Sequence, residues 1–163
     1  MSKYDSTFDT SEHIQKVRDL LYQVMFALTG RAKFHDESKF KDPEKKIFDE
    51  FTPKLKKSTY GSGEYKQFLN DMGKALKHHY ANNAHHPEHF SNGIDGMSLI
   101  DLIEMLADWK AATLRHENGD IKKSLLINKD RFGISDQLFN ILENTIIGMN
   151  WDEYIIGNVL PEP

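Results

Sequence analysis

Five of the eight histidines in this chain fall between His78 and His89, in HHYANNAHHPEH. A solvated loop would normally carry Lys, Glu, Asn and Ser. Histidine is the commonest protein ligand for metals, and its charge changes near neutral pH. Other groups of the same chemistry are spread along the chain: His13, the adjacent pair His35-Asp36 in KFHDESK, and the carboxylates Asp101, Glu104 and Asp108 in SLIDLIEMLADWKAATLRHE. Mixed imidazole and carboxylate donors suit divalent ions. The chain has no cysteine, so any ion must be held by nitrogen and oxygen. The same fact excludes disulfides, thiolate sites and a cysteine nucleophile. No G-x-S-x-G, phosphate-binding glycine loop or G-x-G-x-x-G is present.

Helices must position these groups. The 163 residues suggest one domain with a real core. With 39% hydrophobic and 28% charged residues, the composition is that of a globular protein. Helical spacing of Ile14, Val17, Leu20, Leu21, Val24, Met25 and Leu28 predicts a first helix, capped by Thr10 or Ser11 and ended at Gly30, with residues 1–9 as a loose arm. Asp42-Pro43 starts a second helix that turns Ile47, Phe48 and Phe51 inward, with Pro53 as a bend or an end. A third covers Glu64 to Tyr80, with His79 on its inner side beside Phe68, Met72 and Leu76, and His78 pointing elsewhere. Residues 82–96 read as an irregular loop. Ser98, with Asp101 three residues on, caps a fourth helix running to about His116. Ile121 to Leu126 forms a short helix. Ser135 caps the last, to about Met149, burying Leu138, Ile141, Leu142 and Ile146. No segment alternates with period two, so the expected fold is all-α: a single helical domain over 1–163, its core at about 11–149.

Asp101, Glu104 and Asp108 recur at three and four residues and form one stripe. A solvated stripe explains Asp101. It explains Asp108 less well, because that residue sits among small neighbours, and a buried carboxylate there would need a cation. The formal net charge of −4 argues against general nucleic-acid binding. The N-terminus lacks an apolar signal core, and no apolar run reaches the length of a membrane span. These features and the absence of cysteine lead us to expect a cytoplasmic protein.

The ordered set of His13, His35-Asp36, the histidine cluster and Asp108 resembles the HD-domain superfamily of metal-dependent phosphohydrolases. HDESK matches the HD-x-x-K form of many members. His85-His86 looks like the paired histidines of the HD-GYP branch, and LADWKAATLR resembles its late helix. The Gly-Tyr-Pro of that branch is missing, so hydrolysis of cyclic dinucleotides is not implied. With R-x-x-x-HD-x-SK, N-x-HHPEH and EML-x-DWKAA, the whole chain looks closer to a family of uncharacterised proteins from phages and bacteria.

The resemblance implies an HD-like helical bundle and the following roles. His13, His35, Asp36 and Asp108 would form a first metal site. His79, His85 and His86 would hold a second ion or contact phosphate, with Asp36 bridging if there are two ions. Lys39 would face the scissile phosphate, and Arg115 would add charge near it or lie on the surface. Glu104 and His89 would orient ligands from outside. The ion would be Mn, Co, Ni, Zn or Mg. The substrate would be a small phosphate ester of the nucleotide class. Two alternatives stand beside it: a di-iron oxygenase of the same fold, which would use Fe, and a non-catalytic protein that binds a metal or a nucleotide. Oligomeric state is left open. Tyr80 and Phe90 are candidates for the pocket wall, His116 for an exposed helix end, and Trp151, Tyr154, Ile155 and Ile156 for core closure or a subunit contact.

Overall fold

In the computed structural model, residues 4–59, 61–115 and 119–153 are described. His116, Tyr154, Ile155 and Ile156 lie outside them. The fold is all-α, as expected. Seven α-helices occur among the described residues: α1 (Thr7–Phe34), α2 (Glu44–Lys57), α3 (Gly63–Asp71), α4 (Gly73–Asn82), α5 (Leu99–Thr113), α6 (Ile121–Phe132) and α7 (Asp136–Gly148). Three 3-10 turns join them at Glu37–Phe40, Pro87–His89 and Gly93–Gly96. None of the helices is long and apolar enough to cross a membrane. The chain divides into two compact units, Met1–His35 and Asp36–Pro163. The first contains α1, and the other six helices belong to the second.

α1 begins three residues before the expected cap and runs through Gly30 to Phe34. One glycine in a helix costs only about 1 kcal/mol relative to alanine, too little to stop a 28-residue helix. α2 likewise continues past Pro53. The expected third helix is two helices, α3 and α4, separated at Met72. Met72 and Ala75 are wholly buried there, so the break is packed rather than solvated.

The main core lies at the α5–α6–α7 end of the second unit. It gathers Leu102, Met105 and Leu106 from α5, Ile121 and Leu125 from α6, Leu142 and Ile146 from α7, and Ile94 and Ile134 from the connections. Trp109 stacks on Phe132 beside it at 6.0 Å, and Trp151 also packs against it. Ile141, expected inside, is 51% exposed. It stands about 100° round the helix from Leu142, on the solvent side of that face.

α5 positions both core and site. Ser98 accepts from the backbone N–H of Asp101, and the Asp101 carboxylate accepts from the Ser98 N–H at 2.9 Å, a complete capping box. Ser98→Ala removes one half of that exchange. We expect a loss of about 1 kcal/mol, read as a lower urea midpoint at unchanged slope.

Candidate metal centre

Asp36 opens the site with an unusual backbone. It precedes the turn Glu37–Phe40 in the left-handed conformation, φ 58° and ψ 14°. Asp and Asn are the non-glycine residues that enter this region most readily. Its carboxylate is divided between two tasks. Oδ2 meets the Lys39 ammonium at 2.5 Å. Oδ1 lies 3.3 Å from His79 Nε2 and 3.5 Å from His85 Nε2.

The histidines reach this point from different elements. His79 stands on the last turn of α4 and is 2% exposed. His78, its neighbour, has a side chain 41% exposed. His85 and His86 follow α4 directly, in the segment before the Pro87–His89 turn. His85 is buried, and its ring lies 4.2 Å from that of His86. The Nε2 atoms of His79 and His86 are 2.9 Å apart. Ligand atoms from Asp36, His79, His85 and His86 all fall within 4.8 Å of one another.

This donor set fits a divalent ion. At metal–nitrogen bonds of about 2.0–2.1 Å, two nitrogens lie about 2.9 Å apart around an octahedral ion and about 3.3 Å apart around a tetrahedral one. The Nε2 pair, at 2.9 Å, matches the first and would open by a few tenths of an ångström for the second. Burial pushes His86 down to about 3, and the charges of His85 and His79 push the same way. Asp108 and Asp36 oppose the shift, which puts the Asp108 carboxylate within electrostatic range of this ring. Burial also lowers His79, followed by the charge of Lys39, against the carboxylates Asp36 and Glu44. Neutral imidazoles are the form that binds metals.

The expected orienting residues divide. Glu104, buried on α5, lies with Oε1 3.2 Å from His85 Nδ1. His89 is exposed, and its Nδ1 pairs with the Tyr80 carbonyl at 2.8 Å rather than with a member of the cluster. Arg115 is exposed in the turn after α5. His13 lies on α1 and His35 at its C-terminal cap, both in the first unit. The Tyr80 ring stands 5.0 Å from that of His86, whereas Phe90 packs against His89.

Glu44 was not anticipated. It begins α2 and is wholly buried. Its Oε2 lies 2.9 Å from His79 Nδ1 and 3.0 Å from Ser38 Oγ, and its Oε1 lies 2.7 Å from His78 Nδ1. In the sequence it reads as one more acid in the charged run DPEKK. The only signal was its place in the first turn of a helix, where acids are common.

A cavity of about 660 Å³ lies elsewhere, lined by Lys110, Lys122, Lys123, Trp151 and Asp152 among others, with no residue of the histidine cluster. Its Lys122 is already paired with Asp152 at 2.8 Å. Size alone does not make that cavity the site. The convergent buried donors are at Asp36.

Fold and side chains thus define an all-helical protein with a buried cluster of histidine and carboxylate able to hold a metal ion. The chain belongs to the family described as Family of unknown function (DUF5662), whose model matches residues 2–147. Neither the curated proteins nor the solved structures gave a match.

Proposed function

We propose that the protein is a metal-dependent phosphohydrolase acting on a small phosphate ester, of the nucleotide class, in the cytoplasm. The observation that carries this reading is the convergence of Asp36, His79, His85 and His86, with imidazole nitrogens and a carboxylate oxygen brought together in a largely buried place. A divalent ion held by these four would supply an activated water near neutral pH and screen charge on phosphate. The chain's own residues do the rest. Glu104 holds the back of the His85 ring. Lys39 neutralises Asp36 and, with its side chain 31% exposed, is accessible to an anionic substrate. Its ammonium lies over the Phe48 ring, 5.1 Å from the centroid, which limits where it can move. Tyr80 offers an aromatic face beside His86 for a base to stack on.

The test is elemental analysis of the purified protein, followed by a screen of nucleotides and simple phosphate esters with the ion found. Near-stoichiometric Mn, Co, Ni, Zn or Mg together with phosphate release supports the reading. Loaded protein that binds nucleotide without turnover replaces the hydrolase with a binding protein, and bound iron with oxygen consumption replaces it with an oxygenase. Lys39→Met should keep the metal and lower kcat/KM by about 100-fold, the scale of losing one charge-stabilising group. Unchanged turnover would return Lys39 to the role of an ordinary partner of Asp36.

A further inference from the structure

A histidine can serve as a ligand through Nε2 only if that nitrogen carries the lone pair, which requires the proton on Nδ1. The surroundings of His79 Nδ1 decide the point. Three groups lie near it: Glu44 Oε2 at 2.9 Å, Asn83 Nδ2 at 3.0 Å and Ser38 Oγ at 3.3 Å. The Asn83 amide has two protons, and both have acceptors, since Nδ2 donates to the His79 carbonyl at 2.8 Å and to Ser38 Oγ at 2.8 Å. The Ser38 hydroxyl, accepting from Asn83, donates to Glu44 at 3.0 Å. With the two amide protons on these shorter contacts, at 2.8 Å against 3.0 Å to Nδ1, neither group is left to donate to Nδ1. Glu44, as a carboxylate, can only accept. The proton on Nδ1 therefore points at Glu44, and Nε2 keeps its lone pair toward His86 Nε2 at 2.9 Å, which can donate to it in the metal-free protein, with Asp36 Oδ1 farther off at 3.3 Å.

We infer that Glu44 is a positioning residue for the metal centre: it fixes His79 in the Nδ1–H form, while His78 and Ser38 supply the other donors that a buried carboxylate requires. The inference rests on the metal reading above. It also explains the doublet His78-His79. Both rings converge on one carboxylate, from opposite oxygens. Glu104 stands behind His85 in the same way, at 3.2 Å from Nδ1. A carboxylate behind a ligating imidazole sets its orientation and raises its basicity.

Glu44→Gln keeps the shape but not the acceptor pattern. Glutamine has one carbonyl oxygen, and its NH₂ must face either His78 or the pair of His79 and Ser38. Facing His79, it turns Nδ1 into an acceptor and moves the ring proton to Nε2, against the ligand cluster. The experiment has two readouts. Ring ¹⁵N NMR of the metal-free wild type should show His79 in the Nδ1–H tautomer. Titration with Co²⁺, followed by calorimetry and visible absorbance, should show about 10–100-fold weaker binding to Glu44→Gln, together with an altered absorbance band. If the wild type binds Co²⁺ and both Glu44→Gln and Glu44→Leu, which leaves no acceptor in any orientation, bind it equally well, the role of Glu44 is overturned and the metal centre stands. If the wild type binds no Co²⁺, both fall. Should Glu44→Gln fail to fold, the wild-type tautomer decides: Nδ1–H upholds the inference, and Nε2–H overturns it.

Discussion

Asp36→Asn should abolish near-stoichiometric metal binding while leaving helical content close to that of the wild type. We expect a loss beyond the roughly 10–100-fold that follows from removing an outer hydrogen-bond partner, because a ligand itself is removed. Asparagine is the right replacement for a structural reason. Asp36 lies at φ 58°, where Asn is tolerated, whereas a residue such as alanine would add about 1 kcal/mol of backbone strain. An alanine variant would therefore mix two effects. The amide removes the negative charge, and its NH₂ can donate to the Nε2 atoms of His79 and His85, which lie 3.3 and 3.5 Å from Oδ1. That would stabilise the metal-free arrangement. The lost pairing with Lys39 is partly exposed and worth about 0–1 kcal/mol. Metal analysis and circular dichroism on the same sample test the prediction. Unchanged metal content in the folded variant would remove Asp36 from the ligand set.

The second large effect is on stability. Leu125→Ala should cost about 3 kcal/mol, within the range for truncating a buried leucine. Leu125 is wholly buried on α6 in the core shared with α5 and α7. Its loss leaves a cavity that neighbouring helices can close only in part. For a chain of this length the drop in Tm should be roughly 6–12 °C. Leu126, the next residue, is 54% exposed, and its alanine variant should stay within about 0.5 kcal/mol of the wild type. A denaturant midpoint for each variant measures the contrast. Equal losses at 125 and 126 would mean that α6 does not present the face described. α5 carries Glu104 as well as Met105 and Leu106, so loosening this core should also weaken metal binding slightly.

Much of the site was legible because some of its chemistry is concentrated in short segments. The histidine run and HDESK are visible without a fold. Helical periodicity put His79, rather than His78, on the inner side of its helix, and it is His79 that is buried. The spacing of Asp101, Glu104 and Asp108 gave one stripe, but its burial was read the wrong way round: Asp101, expected in solvent, is buried with Glu104 because the capping box folds it back onto the Ser98 backbone, and Asp108 is half-buried. Ser98 and Asp101 form the cap that their spacing suggests. His89 was misplaced as an orienting residue because proximity in sequence to His85 and His86 says nothing about direction. The 3-10 turn at Pro87–His89 leaves its ring exposed, on the carbonyl of Tyr80.

Sequence alone determined what is local: an all-helical chain, its capping box at Ser98, the inner face of α4, and a supply of nitrogen and oxygen ligands without thiolates. Periodicity and capping are read within about four residues, and that is the range over which a sequence pattern carries physical meaning. Tertiary structure decided what depends on distant residues meeting. It brought Glu44 to the His78-His79 doublet across 34 and 35 positions and Ser38 to His79 across 41. It turned the backbone at Asp36 into the left-handed region, so that one oxygen serves Lys39 and the other faces the histidines. A buried carboxylate is tolerable only where donors converge on it, and that convergence is a property of packing, with no trace in the spacing of the residues concerned.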